Sequence, residues 1–118
     1  MPSIQIKRIY EKPAKEDGYR ILVDRLWPRG MKKENAPFNE WIKSIAPSAE
    51  LRKWFDHQPE RFPEFEKRYK KELKKVEDEL DRIKLLAQKK NITLLYSAKN
   101  REMNQAVVLK NVLTKKLQ

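Results

Sequence analysis

The chain has 118 residues, enough for one domain that buries roughly two-thirds of its unfolded surface. It has no cysteine, which excludes disulfides, thiolate nucleophiles and thiolate metal sites and suits a reducing compartment. The formal charge of +11 invites a nucleic-acid reading, yet the basic surplus is spread almost evenly along the chain. Residues 1–58 hold twelve basic and eight acidic groups, residues 59–90 eleven and eight, and residues 91–118 five and one, so no basic arm or tail stands out. Nineteen of the twenty-eight cations are lysine, which serves as a generic solubilising charge more readily than arginine. The opening M-P-S-I-Q-I-K-R lacks the apolar run of a signal peptide, and no apolar stretch is long enough to span a bilayer. A soluble, cytosolic protein without a membrane partner is expected.

Ile4 to Ile9 alternates apolar and polar residues, the pattern of a half-buried strand. A polar connector with Pro13 and an Asp17-Gly18 turn leads to a second strand, Tyr19 to Val23. So few residues join the two strands that their relative direction stays open. Asn35 can cap a helix whose apolar positions Phe38, Trp41, Ile42 and Ile45 share one face, with Pro47 ending it. Ser48 can cap a short second helix carrying Leu51, Trp54 and Phe55, and Pro59 suits the first turn of a third. From there Phe62, Phe65, Tyr69, Leu73, Val76, Leu80, Ile83 and Ala87 recur at steps of three and four. That predicts one long helix, or two joined near Lys74-Lys75, with the stripe either packed on the domain's own sheet or kept for a partner helix.

Ile92 to Tyr96 is a nearly continuous apolar run, as in strands buried on both faces of a parallel sheet. A closing helix is predicted from about Arg101 to Leu117, burying Ala106, Leu109, Val112 or Leu113, and Leu117. The expected architecture is a single α/β domain over residues 1–118, with a short, mostly parallel sheet flanked by helices.

Ligands of open α/β sheets bind beyond the carboxyl ends of the strands. Two loops leave such ends here: Asp24 to Gly30, D-R-L-W-P-R-G, and Ser97 to Asn100. If their strands are parallel neighbours, Arg25 and Arg29 can grip an anion, Trp27 can stack on a flat group, and Lys99 can add a point charge. The closing helix would aim its N-terminal amides at the same place. Asp24 is the available carboxylate for proton transfer or hydrogen bonding. Each residue also has a plainer role: Asp24 as a turn cap, Arg25 and Arg29 as surface charge, and Trp27 as a cover for the core. Ser97 lies in the candidate ligand loop, although Ser97 and Asn100 suit helix caps better than catalysis. His57, the single histidine, is either a proton shuttle or a cationic ring placed against a helix end.

Other chemistries are excluded more firmly. Gly18 and Gly30 are the only glycines, so neither a P-loop nor a dinucleotide-binding fingerprint fits. One histidine without cysteine leaves no zinc site of ordinary ligand type, and G-x-S-x-G is absent. The carboxylates of E-D-E-L-D at 77–81 are interleaved with lysines and read as surface charge. No metal site is expected, and the residues name no cofactor.

Several stretches together resemble the YeaO-like members of domain-of-unknown-function family 488: I-K-R-I-Y, E-D-G-Y-R-I-L-V-D-R-L-W-P-R-G, L-R-K-W-F, H-x-P-E-R-F, and L-L-Y-S-A-K followed by A-V-V-L. The resemblance covers nearly the whole chain and brings no established function. It implies that Asp24, Arg25, Trp27, Pro28, Arg29 and Gly30 cluster with His57, Tyr96 and Lys99. It also implies departures at the last βα turn. Close relatives carry an acid at the position of Asn100 and histidines at those of Met103 and Gln105, and distant ones carry cysteine, glutamate and histidine nearby. This chain has Tyr96, Ala98, Met103, Asn104 and Gln105 there, so it has largely lost the reactive groups.

The expected function is binding of a small phosphate- or carboxylate-bearing ligand. Arg25, Trp27, Arg29, Tyr96, Ser97, Lys99 and Asn104 are the candidate contacts, with Asp24 and His57 the candidates for any proton transfer. The alternative is a nucleic-acid-binding module using the basic surface and its aromatics.

Overall fold

A computed structural model describes residues 3–117. Four strands form one sheet: β1 (Ile4–Arg8), β2 (Tyr19–Leu22), β3 (Glu40–Trp41) and β4 (Ile92–Tyr96). Their order is β1-β4-β2-β3 and every pairing is parallel. Ile4 to Arg8 lie opposite Ile92 to Tyr96, and Tyr19 to Leu22 opposite Ile92 to Leu95, so β4 is paired on both edges. All five β4 residues are buried, which is why its sequence does not alternate.

The open question about β1 and β2 resolves as parallel but not adjacent. Their connector, residues 9–18, must regain the length of a strand, roughly 17 Å at 3.3 Å per residue, and step sideways past β4. Ten residues extend to about 33 Å, so no helix is required. One short turn, Lys15–Asp17, completes the return, and Gly18 at φ +67° starts the next strand.

The helix expected from Asn35 does not form. Residues 33–45 instead make two short 3₁₀ turns, Lys33–Asn35 and Lys43–Ile45, with β3 between them. Pro37 supplies no amide and disfavours helical geometry at Ala36, which is extended at φ −67°, ψ 119°. β2 then takes the segment: Asn39 N–H donates to the Arg20 carbonyl at 2.9 Å and Ile42 N–H to that of Leu22 at 3.1 Å. The apolar residues therefore divide between the two faces of the sheet. Phe38 and Trp41 pack with Ile9, Leu22 and Leu95 on one face, while Ile42 and Ile45 enter the main core on the other.

Four helices follow: α1 (Ala49–Phe55), α2 (Phe62–Leu73), α3 (Glu77–Ala87) and α4 (Gln105–Leu117). The long stripe thus divides, with a 3₁₀ turn at Lys74–Val76 making the break. Phe65, Tyr69, Leu73, Leu80, Ile83 and Ala87 are all buried in the main core, so the stripe serves this domain and not a partner helix. α4 starts later than Arg101 because Asn100 closes a turn first, its Oδ1 accepting from Glu102 and Met103 N–H at 2.9 Å each. Its first turn buries Ala106, Val108 and Leu109, then Leu113, with Val112 and Leu117 half-buried. No helix among the described residues is long and apolar enough to cross a membrane.

Ser48 caps α1 as its position predicts. Its Oγ accepts from Leu51 N–H at 3.1 Å, while its own amide and hydroxyl donate to Glu72 of α2 at 2.8 and 2.6 Å. Ser48→Ala removes the cap and strands one Glu72 oxygen, which should cost about 2 kcal/mol in urea unfolding. Glu72→Gln, which leaves the cap in place, should cost less.

Candidate functional site

Because β2 and β4 are parallel neighbours, the loops leaving their carboxyl ends meet. Asp24 joins them. One carboxylate oxygen accepts from Ser97 N–H at 3.0 Å and from Ser97 Oγ at 2.5 Å, and the other accepts from the Gln105 side-chain amide in the first turn of α4. Asp24 is only 7% exposed. Burial pushes its carboxyl above the usual aspartate range; the Ser97 hydroxyl and amide, Gln105 and the charge of Arg52 pull it back without cancelling that effect.

Beside Asp24 lies a pocket of about 280 Å³. Of the residues picked out in the sequence, Asp24, Arg25, Trp27, Arg29, His57 and Ser97 all line it. Their roles differ. Arg25 is half-buried and partly committed, its Nε donating to the Pro47 carbonyl at 2.7 Å and an Nη to that of Ala46 at 3.5 Å. It fastens the loop before α1 and lies between the pocket and a hollow beside Ala46 and Ser48. Arg29 is exposed at the rim. Trp27 is 38% exposed and fixed by its indole N–H, which donates to the Met31 carbonyl at 2.7 Å, and by edge contacts with Phe38 and Trp41 at 5.7 and 5.5 Å. Covering the second apolar cluster and lining the pocket are both true of it.

His57 follows the end of α1. Asp56 (φ 46°) and His57 (φ 55°) are both left-handed, a conformation in which Asp and His are over-represented among residues other than glycine. That pair of turns brings the exposed imidazole to the pocket, 6.3 Å from the Phe55 ring.

Tyr96, Lys99 and Asn104 stand apart from this pocket. Tyr96 is buried and borders a second hollow with Glu11, Asp17 and Arg101. Lys99 is exposed and does not line either space. Asn104 is buried and structural: its Oδ1 accepts from Val107 N–H at 3.1 Å, and its Nδ2 donates to the Asn100 carbonyl at 2.8 Å. The cap role falls to Asn104, whereas Ser97 serves Asp24.

Two polar residues absent from the sequence-based set belong to the site, Arg52 and Gln105. Arg52 follows buried Leu51 and precedes buried Phe55 by three, so it sits at the margin of the buried helix face, within the L-R-K-W-F stretch. Gln105 is 81 residues from the carboxylate it holds; the family resemblance marked its position as one where close relatives carry histidine, and only the fold brings it to Asp24. Part of the wall is apolar, with Phe55 and Phe65 stacked at 4.3 Å beside Pro47 and Ala98. Among the described residues no three His, Asp or Glu side chains are grouped as a metal ion would need.

A family model described as the inactive DUF488-N3 subclade matches residues 3–118. The chain is 50% identical to the uncharacterised protein YeaO of Escherichia coli (strain K12) over 107 residues, which cover 91% of this chain and 93% of that protein. It is also 50% identical over 70 residues to uncharacterised proteins of Mycobacterium bovis and Mycobacterium tuberculosis (strain H37Rv), 59% of each chain. No solved structure matches. With one family model spanning the same strands, loops and helices that form the pocket, the chain belongs to the inactive DUF488-N3 subclade.

Proposed function

We propose that the protein binds a small phosphate- or carboxylate-bearing ligand in the pocket at the carboxyl ends of β2 and β4. The carrying observation is the convergence of Arg25, Arg29 and Arg52, with His57, on one half-apolar space whose single acid is Asp24. Guanidinium groups at an apolar wall favour an anion with a flat or apolar body, because partial desolvation strengthens charge-assisted hydrogen bonds. A recognition role suits Asp24 better than proton transfer, since Ser97 and Gln105 already engage both of its oxygens. The subclade's description as inactive agrees with that role.

The test is a thermal-shift screen of phosphorylated and carboxylated metabolites, followed by calorimetry on the hits. Removing both rim cations, Arg29→Ala with Arg52→Ala, should weaken binding at least tenfold per lost charge-assisted contact, about 1.5–3 kcal/mol each. A screen without hits, or hits that the double variant binds as well as wild type, overturns the proposal.

Nucleic-acid binding is a second reading. It is favoured by the charge of +11 and by exposed Tyr10, Leu26 and Trp27 beside Arg29, whose carbonyl accepts from the Tyr10 hydroxyl at 2.9 Å. Oligonucleotide affinity falling steeply with salt would support it, and no shift in low salt would remove it.

A further inference from the structure

An ionised carboxylate offers about four acceptor positions. Three of those on Asp24 are occupied: the Ser97 amide and hydroxyl share one oxygen, and Gln105 donates to the other. All three donors are uncharged, and Asp24 is 93% buried while lining the pocket. One acceptor position on the Gln105-bound oxygen is left for a ligand, and filling it would relieve a costly incomplete solvation.

The surroundings restrict what that donor can be. Arg25, Arg29 and Arg52 line the pocket, so an ammonium would enter against like charge. A neutral N–H meets no such repulsion. Trp27, 38% exposed where it lines the pocket, offers an indole against which a planar ring packs better than a flexible hydroxylated chain. The volume, about 280 Å³, is near the roughly 300 Å³ lower end of small-molecule sites and fits one ring system with a short tail.

Resting on the anion-binding reading above, we infer that the ligand combines an anionic tail held by the rim arginines with a planar, uncharged nitrogen heterocycle whose edge N–H donates to Asp24. A nucleoside monophosphate has this chemistry. The tail and the ring are read by different residues, so the two parts separate experimentally.

Calorimetric affinities should be measured for the four common nucleoside monophosphates, ribose 5-phosphate, phosphoethanolamine and inorganic phosphate. The best-binding nucleotide should also be tried with every donor N–H at its base edge replaced by N-methyl. The expected order is nucleotide above ribose 5-phosphate and phosphoethanolamine by tenfold or more, with methylation removing about tenfold, the loss expected for one unsatisfied buried acceptor. Asp24→Asn should lower nucleotide affinity and leave ribose 5-phosphate unchanged, whereas Arg29→Ala with Arg52→Ala should weaken both. The methylated ligand is read on wild-type protein, so that arm stands even if Asp24→Asn does not fold. Equal binding of nucleotide and ribose 5-phosphate, or no effect of methylation, overturns the heterocycle and leaves the anion site standing. Preference for phosphoethanolamine replaces the neutral donor with an ammonium and overturns the inference. Absence of binding by every probe, inorganic phosphate included, overturns both readings.

Discussion

Replacing Gly18 with alanine should lower stability by about 4 kcal/mol, the sum of left-handed backbone strain and overpacking at roughly 1–3 kcal/mol each. Gly18 sits at φ +67°, ψ −130°, immediately before β2. A Cβ there would overlap the Asn91 carbonyl oxygen and lie 2.9 Å from both the carbonyl carbon and the Cβ of Asn91. Neither side can yield cheaply. The Asn91 carbonyl accepts from Tyr19 N–H at 2.9 Å, and its side chain accepts from Ser3 N–H at 3.0 Å. Asn91 therefore ties the starts of β1 and β2 to β4, and moving it loosens three strands together. For a domain of this length the loss should appear as a melting temperature lower by about 15 °C. Gly30→Ala is the internal control. Its φ is +76°, but a Cβ would meet nothing within 4 Å, so only conformational strain of about 1 kcal/mol is expected. Equal destabilisation by the two variants would show that backbone conformation, and not the approach to Asn91, makes Gly18 necessary.

Asp17→Ala should cost about 3 kcal/mol, as loss of a buried, hydrogen-bonded anion does when its cations can still partly reach water. The Asp17 carboxylate is buried on the sheet face opposite the main core. It accepts from Ala14 N–H at 2.9 Å, Arg20 Nε at 3.1 Å and Lys7 Nζ at 3.2 Å, and its carbonyl accepts from Thr93 Oγ1 at 2.7 Å. It thereby clamps the β1–β2 connector to β1, β2 and β4. Burial pushes its carboxyl up, but the Ala14 amide, Arg20 and Lys7 outweigh this and hold it below the usual aspartate range. A depressed folded-state value adds stability above the unfolded value, near 3.9, and that contribution disappears as pH falls through the folded value. Urea unfolding of wild type and Asp17→Asn should therefore differ most near neutral pH, and the gap should close as pH falls through the folded-state value. A gap that persists undiminished in acid would assign the role of Asp17 to shape and not charge.

Particular residues show how far the chain could be read unaided. The alternation of Ile4 to Ile9, the apolar run Ile92 to Tyr96 and the three-four spacing from Phe62 to Ala87 each named an element correctly, since burial on one or both faces imposes those periods. Phe38, Trp41, Ile42 and Ile45 misled because steps of one, three and four also occur when a short strand and two turns send neighbours to opposite faces. Pro37 was the local signal against the helix, and pairing with β2 supplied the alternative. At the candidate site, the density of arginine and tryptophan after β2 was visible in the sequence. Tyr96, Lys99 and Asn104 lie outside the pocket: Tyr96 and Ser97 leave β4 on opposite sides, Lys99 is exposed in the loop, and Asn104 is turned to the start of α4.

From the sequence alone came the α/β class, the family resemblance, the lack of any cysteine or glycine-rich phosphate loop, and the cluster of arginine and tryptophan that follows β2. Tertiary structure alone decided that β4 lies between β1 and β2, and therefore that Asp24 meets Ser97 and Gln105, 73 and 81 residues along the chain. It also decided that Arg25 spends part of its donor set on a backbone carbonyl while Arg52 reaches the pocket. The reason is that residue spacing determines which face of an element is buried, whereas the partners waiting across that face are set by the order in which distant strands pair.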